Sequence, residues 1–308
     1  MRPPSQLGLV VHPRRELGEP LDAVRGWAAA NGVAVGQVPI HGQSRRVADT
    51  VDAASCDLLL ALGGDGTTLT ALHAAAPVSR PVLGVACGSI GVLTSVAADR
   101  LRSALEQVAQ GRWTARVLPG LDVAAESGEA QVAINDFVAI RDGTGQVITA
   151  ISVDGELYAR TAGDGVVVAT PLGSSAYTMA AGGPILGPGT QGMVLMPLAS
   201  HGGVAPPLVV GPESRVSLSV EPGYGGGRFE IDGRELPAPA PRVTISQRRE
   251  YATMVTLADQ EPLLTSLRRR GLVVDSPRIL ARDARKPGPL KQPAGDAPPA
   301  PERRTEPR

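Results

Sequence analysis

Aromatic side chains are the scarcest class in this 308-residue chain: Phe, Trp and Tyr make up 3% of it, against a hydrophobic fraction of 43%. Packing therefore has to rest on Leu, Val, Ile and Ala. Net charge is missing too, since 30 Lys and Arg balance 30 Asp and Glu, and this removes any electrostatic case for a nucleic-acid partner. The two cysteines, Cys56 and Cys87, match no metal-binding spacing, so two reduced thiols are expected rather than a disulfide. No apolar run approaches the length of a membrane span. The first residues, Met1 to Gln6, pass directly into the strand-like Leu7–Val11 with no signal-peptide core. A soluble, cytoplasmic protein is expected, with no membrane partner. Its length suffices for two domains with ordinary cores, and no internal repeat is present.

Against those absences stands one dense stretch. Leu58–Leu62 is a short apolar run, Gly63-Gly64-Asp65-Gly66-Thr67 follows, and Leu69, Ala71 and Leu72 open a helix-like segment. A buried strand turning through three glycines into a helix brings backbone N–H groups close to an anion and adds the positive end of the helix dipole. Such a turn is expected to hold phosphate. Asp65 is out of place beside phosphate unless it takes a proton from an attacking hydroxyl or helps position a cation; otherwise it only caps the helix. The GxxxxGK[ST] pattern is absent, so no P-loop lysine is available, and GxGxxG fails on spacing.

Strand-like segments at Leu7–Val11, Val33–Ile40, Leu58–Leu62 and Pro81–Val85 alternate with helical patterns at Pro20–Asn31, Arg46–Ala54 and the segment after Thr67. Alternation of this kind predicts a parallel sheet with right-handed crossovers, whose ligands sit beyond the carboxyl ends of the strands. A further helix is expected over Ala97–Gln110. After Gly111 the texture changes to short β-rich segments: Trp113–Val117, Leu121–Ala125, Val132–Arg141, Val147–Val153, Val166–Ala169, Val194–Met196, Leu208–Val210, Val216–Val220 and Arg228–Ile231. Asp232-Gly233 is a strong hairpin-turn signal, and the whole predicts an antiparallel β domain. Pro262–Arg270 reads as a helix. The expected divisions are 1–112, 113–260, a returning segment 261–282, and a Pro-, Ala- and charge-rich disordered tail 283–308.

A second constellation runs from Gly163-Asp164-Gly165 through Thr170-Pro171-Leu172-Gly173-Ser174-Ser175-Ala176-Tyr177 to Gly182-Gly183-Pro184. A buried strand feeding a hydroxyl- and glycine-dense loop suits a polar ligand. Asn135-Asp136 ends another strand-like run and offers an amide and a carboxylate to ribose hydroxyls; alone, such a pair serves as a turn or cap. His201 alone carries little.

Taken in order, Gly63–Thr67, Pro81–Val85, Asn135-Asp136, Gly163–Gly165, Thr170–Tyr177, Gly182–Pro184 and Pro197…His201 resemble the NAD kinase family, in the manner of its actinobacterial members. The likeness extends over roughly residues 7–280. It implies an α/β N-terminal domain with a Rossmann-like parallel sheet and an all-β, sandwich-like C-terminal domain, a fold shared with diacylglycerol kinases. The implied reaction is phosphoryl transfer from ATP to the 2′-hydroxyl of the adenosine ribose of NAD, giving NADP. A divalent cation, usually magnesium, is implied, as are a homodimer or homotetramer and, for some members, polyphosphate as donor. Asp65 is placed as base or orienting group, with Gly63, Gly64, Gly66 and Thr67 facing phosphate. Asn135 and Asp136 would bind the nucleotide, and Asp164 its nicotinamide end or a neighbouring subunit's nucleotide. Ser175, Ala176 and Tyr177 would line the adenosine pocket, with Thr178 and Ala180 beside them. No residue is assigned as a metal ligand, because ATP phosphates and water can hold the ion. The chain departs from the family pattern at Thr70, Ala86-Cys87, Val92, Asp136, Ala180, Ser200, Gly202-Gly203 and Pro206. Two other readings fit parts of the chain: a nucleotide-binding regulatory paralogue of low activity, and a lipid kinase using a related GGDG turn.

Overall fold

The computed structural model describes residues 3–88, 91–126, 130–236 and 241–284. Residues 1–263 form one compact unit and 264–308 another. In the first unit, strand β1 (Gln6–Val11) leads into helix α1 (Gly18–Asn31) and β2 (Ala34–Gln37). Next come β3 (Leu58–Gly63), α2 (Asp65–Ala75), β4 (Pro81–Ala86), β5 (Val96–Ala97) and α3 (Leu101–Ala109). The strands pair in parallel in the order β2-β1-β3-β4. Their apolar runs are buried on both faces, as a parallel sheet requires. Leu9, Leu60, Leu62 and Val85 pack with Leu21, Val24 and Trp27 of α1 and with Leu101 and Leu105 of α3. Val10, Leu59, Ala61 and Val82 pack against Leu69, Ala71, Leu72 and Ala75 of α2.

The expected helix over Arg46–Ala54 does not form; this segment is irregular, with one turn of 3₁₀ helix at Ala53–Ser55. Gln37 explains the difference. Its half of the backbone exchanges hydrogen bonds with Asp49 and Val51, and its side chain accepts from the Val47 N–H (2.7 Å) and donates to the Arg45 carbonyl (2.7 Å). Those bonds hold the segment extended beside β2, overriding its helical pattern.

The rest of the unit is β-rich. The strands are β6 (Trp113–Ala125), β7 (Gln131–Ala133), β8 (Asp136–Arg141), β9 (Val147–Val153), β10 (Glu156–Gly163) and β11 (Gly165–Ala169). The single-turn helix α4 (Tyr177–Ala180) precedes β12 (Met193–Leu198), β13 (Leu208–Val210), β14 (Arg215–Pro222), β15 (Gly227–Ile231), β16 (Arg234–Glu235) and β17 (Arg242–Leu257). Two segments expected as separate strands merge into β6, and β10 was not anticipated. Sheet one carries β10-β9-β14-β17 directly into the parallel strands, because the end of β17 pairs in parallel with β4 at Thr253 and Met254. Sheet two, β13-β12-β11-β8-β15-β16, is antiparallel. The two sheets bury one core between them, with Ile151, Val216, Leu218, Val243 and Ile245 from sheet one against Phe137, Val166, Val168, Leu195 and Phe229 from sheet two. The Phe137 and Phe229 rings meet edge to face at 5.3 Å, a favoured aromatic geometry. An α/β parallel-sheet half and an antiparallel, sandwich-like half are thus both present.

The second unit contains the rest of α5 (Leu263–Arg269) and α6 (Pro277–Ala284). The Arg268 guanidinium makes two bonds to the Asp275 carboxylate. Of the expected disordered tail, Asp283 and Ala284 close α6, and 285–308 lie outside the described residues. Cys56 and Cys87 are free thiols. Among the described residues no helix is long and apolar enough to cross a membrane.

Candidate active site

Strand β3 delivers Gly63 to the carboxyl end of the parallel sheet, and α2 starts two residues later. Gly64 is the extended N-cap (φ −131°, ψ −166°), and Thr68 is the first amide to bond back, to the Gly64 carbonyl at 3.0 Å. The amides of Asp65, Gly66 and Thr67 therefore lie ahead of the helix's own ladder and can serve an anion. They border a cavity of about 430 Å³ shared with His12, Arg15 and Thr70. The Arg15 guanidinium lies over Gly64 and donates to the Cys87 carbonyl at 2.9 Å. Arg45 donates to the carbonyls of His12 (3.0 Å) and Arg15 (2.6 Å). His12 Nδ1 accepts from the amides of Arg14 and Arg15, both at 3.1 Å. Burial, then the charges of Arg15, Arg14 and Arg45, push the His12 imidazole below its ordinary pKa, which keeps it in the neutral form that this acceptor role needs. Around the glycine turn the cavity offers a guanidinium and the free amides of a helix N-terminus, the donors a phosphate site needs.

Asp65 is held by a second loop. Oδ2 accepts from the Val92 N–H (2.8 Å), and Oδ1 accepts from Leu93 (2.9 Å) and Thr94 (3.1 Å). Gly91 makes this approach possible: a Cβ there would stand 2.0 Å from Asp65 Oδ1. A carboxylate offers about four lone-pair positions, and Oδ2 has spent only one of its two. Asp65 is thus fixed in one rotamer with acceptor capacity left at the cavity.

The second constellation gathers at the ends of β8, β11 and β15. Thr170 is fully buried; its hydroxyl donates to the Ile134 carbonyl (2.7 Å), and its amide to the Asn135 carbonyl (2.8 Å). Gly173 passes so close that a Cβ would stand 1.9 Å from the Asn135 oxygen. The Asn135 side-chain amide has no partner among the described residues. Asp136 is buried at 6% exposure, and burial, then Asp232 and Glu230, push its carboxyl up to about 7. Asp164 accepts from Arg141 Nε at 2.6 Å. Tyr177 lies in the same field: burial raises its phenol first, then Glu230 and Asp164, with Asp136 adding and Arg228 opposing. Ala176, Tyr177 and Ala180 are exposed, and Ser175 is half-buried.

Thr178 does not join them. It is fully buried, with its hydroxyl unpartnered and its methyl against Gly183. On a single helical turn Tyr177 and Ala180 share the outer side, which turns Thr178 inward. His201 is exposed on a separate cavity beside Tyr224.

Asn135, Asp136, Ser175 and Tyr177 do not line the cavity at Gly64–Thr67. The two constellations are joined instead through a residue that pattern reading took only for a turn. The Asp232 side chain, 1% exposed, receives His73 Nε2 at 2.6 Å together with the amides of Ile134 (2.8 Å), Asn135 (2.7 Å) and Asp136 (3.1 Å). His73 lies eight residues beyond Asp65 on α2, about 12 Å along the axis. Arg15 was also missed; its signal was a basic pair directly after β1, at the sheet edge where ligands sit. Among the described residues no group of three His, Cys, Asp or Glu side chains could hold a metal ion.

Two family models match in sequence order: the ATP-NAD kinase N-terminal domain over residues 8–113 and the ATP-NAD kinase C-terminal domain over 134–246. An NAD kinase of Chlorobium luteolum is 33% identical over 267 residues, covering 81% of this chain and 91% of its own. An NAD kinase of Nocardia farcinica is 39% identical over 207 residues, covering 64% and 63%. Among solved structures, yeast NADH kinase complexed with NADH superposes with a TM-score of 0.74 at 21% identity, over 90% of both chains. An NAD kinase from Archaeoglobus fulgidus in complex with ATP gives 0.70 at 20% identity, over 85% of this chain and 98% of that one. These two share the fold, and the sequence relatives and family models carry the kinship: the chain belongs to the NAD kinase family of phosphotransferases.

Proposed function

We propose that the chain phosphorylates the 2′-hydroxyl of the adenosine ribose of NAD with ATP, and that Asp65 is the residue on which the step turns. The carrying observation is the Asp65 carboxylate, locked by the amides of Val92, Leu93 and Thr94 beside the cavity that Arg15 and the α2 N-terminus line, while Oδ2 keeps acceptor capacity. Phosphoryl transfer demands positioning and charge neutralisation more than covalent chemistry. In this reading Asp65 accepts the hydroxyl proton as the new P–O bond forms. Gly63, Gly64, Gly66 and Thr67 face the donor's phosphates, with Arg15 and the α2 dipole opposing their charge. Asn135 and Asp136 hold ribose hydroxyls, Ser175, Ala176, Tyr177 and Ala180 border the base, and Asp164 serves the nicotinamide end. Magnesium or another divalent cation enters on the phosphates of ATP; no protein ligand is assigned to it and no step is routed through it. Division into domains at 1–112 and 113–260, a cytoplasmic location, and assembly as a homodimer or homotetramer belong to the same proposal. Family likeness supports them, and fractionation and light scattering test the last two.

The decisive assay is NADP formation by the purified chain with ATP, magnesium and NAD, beside Asp65→Asn. The variant should lose roughly 10²–10⁴ in rate, the scale of a general acid–base group. An amide turns one N–H₂ toward a backbone donor, so its melting temperature is read in parallel and a local loss of about 1–3 kcal/mol is expected. Near-normal turnover by the variant would refute the role of Asp65. NAD binding without NADP formation by the wild type would move the chain to the regulatory reading.

A further inference from the structure

A second cavity, of about 210 Å³, lies away from the glycine turn, between β6, the middle of β17 and the Gly187–Gln191 segment. Two arginines, Arg116 and Arg249, line it, and no Asp or Glu does. Arg249 is paired with Glu213 at the surface. Arg116 is different: it is half-buried on β6 and has no hydrogen-bond or ion-pair partner among the described residues. Burial alone pushes its guanidinium below its ordinary pKa, with no carboxylate to offset it.

A guanidinium withdrawn from water without a counter-charge is costly unless something else supplies one. Other donors stand beside it. Gln247 accepts the Gly192 N–H through Oε1 at 3.0 Å, which fixes the amide orientation and leaves its N–H₂ group uncommitted at the cavity. The Thr190 hydroxyl also borders the space. Apolar walls from Leu118, Leu172 and Leu186 complete it.

We propose that this cavity is an oxyanion site, in which Arg116 and the Gln247 amide hold a phosphate or carboxylate group of a small metabolite separate from the reacting nucleotides. The planar guanidinium suits two oxygens of either group, and the volume admits a compact ligand rather than a second dinucleotide. Ser175 lines the same cavity and is followed directly by Ala176 and Tyr177, so an anion held here biases the loop that borders the nucleotide. That last consequence rests on the proposed nucleotide reading; anion binding itself does not.

The test is calorimetric titration and thermal melting of the full chain with inorganic phosphate and, separately, with succinate at constant ionic strength. Wild type, Arg116→Gln, Arg116→Lys and Arg15→Gln are compared. Arg15→Gln is expected to remove phosphate binding at the glycine turn and leave the Arg116 site intact. Arg116→Gln should weaken the remaining site at least tenfold and abolish its anion-dependent rise in Tm. Without anion it should melt at or above the wild-type temperature, since it removes an unpaired, half-buried charge. Arg116→Lys keeps the charge but loses the fork, so a severalfold loss is expected; it serves if the glutamine variant fails to fold. Stronger binding of phosphate than succinate identifies a phosphorylated ligand, and the reverse a carboxylate. Unchanged binding of both anions in Arg116→Gln and Arg116→Lys, or a wild type that binds neither outside the glycine turn, overturns the proposal. A change in KM for NAD on adding the anion, absent in Arg116→Gln, tests the coupling separately.

Discussion

Replacing Asp136 by asparagine changes a buried ionisable group into a neutral isostere, and the consequences can be worked from the structure. Asp136 is 6% exposed, no donor among the described residues reaches its carboxylate, and Asp232 and Glu230 add like charge, so its pKa rises from 3.8 to about 7. The folded state therefore binds this proton more tightly than the unfolded chain does. By linkage, the contribution of Asp136 to stability is greatest below about pH 4, falls as pH rises toward 7, and is flat above that. A shift of roughly three units corresponds to about 4 kcal/mol as an upper figure. Asp136→Asn should match wild type near pH 4 and exceed it progressively, by about 2–4 kcal/mol at pH 8. In urea unfolding this is a midpoint shift of about 1 M for a slope of a few kcal/mol per molar. Catalysis should move the other way. An ionised carboxylate bonding a ribose hydroxyl contributes about 1.5–3 kcal/mol, so KM for NAD should rise about 10- to 100-fold in the variant. Wild-type affinity should also strengthen as pH passes 7, whereas that of the variant should not. A stability difference that stays constant between pH 5 and 8.5 would refute the elevated pKa. A gain in stability without any loss in NAD affinity would refute the ribose assignment.

Two further substitutions probe the supports of the site. Gly91→Ala places a methyl about 2 Å from both Asp65 carboxylate oxygens; the 91–94 loop must move, and a loss of about 1–3 kcal/mol with a marked fall in turnover is expected in melting and NADP-formation assays. Retained turnover in that variant would show that the Asp65 clamp is dispensable. Asp232→Ala strands three amides and His73, and since each unsatisfied buried donor costs about 1–3 kcal/mol, a loss of at least about 3 kcal/mol is expected. His73→Gln leaves the three amide bonds in place and should cost about 1 kcal/mol; comparable losses in the two variants would show that the imidazole bond, not the amide clamp, carries the effect.

Much of this was legible in the chain because the signals were local. Leu58–Leu62 and Pro81–Val85 are short apolar runs flanked by glycine or proline, a pattern that favours a doubly covered strand at that length, and both are strands buried on two faces. The Asp232-Gly233 pair reads as a hairpin turn, and both residues adopt positive φ (52° and 71°) between β15 and β16. Arg46–Ala54 misled for the opposite reason. Its helical periodicity is real, but the Gln37 side chain, a single residue outside the segment, claims the backbone groups that a helix would need.

What no local pattern could report is how the glycine turn's helix and the Asn135-Asp136 segment are tied together. Asp232 lies 159 residues from His73 and 97 from Asn135, so its second task is invisible in any window of sequence. As a turn residue it is replaceable by asparagine or glycine, which tolerate positive φ equally well. As an acceptor for three amides and an imidazole it is not. Those four donors come from α2, which starts with Asp65, and from the strand ends that present Asn135 and Asp136. A small rotation of the β15–β16 turn would therefore displace Asn135 and Asp136 relative to the helix that starts with Asp65. Asp232→Asn separates the two tasks: it preserves the turn, but its amide cannot accept from all four donors. Near-normal melting with a fall in kcat would make Asp232 a positioning residue of the phosphoryl step. An equal loss of stability in Asp232→Asn and Asp232→Ala, with kcat unchanged in the folded fraction, would confine it to the fold.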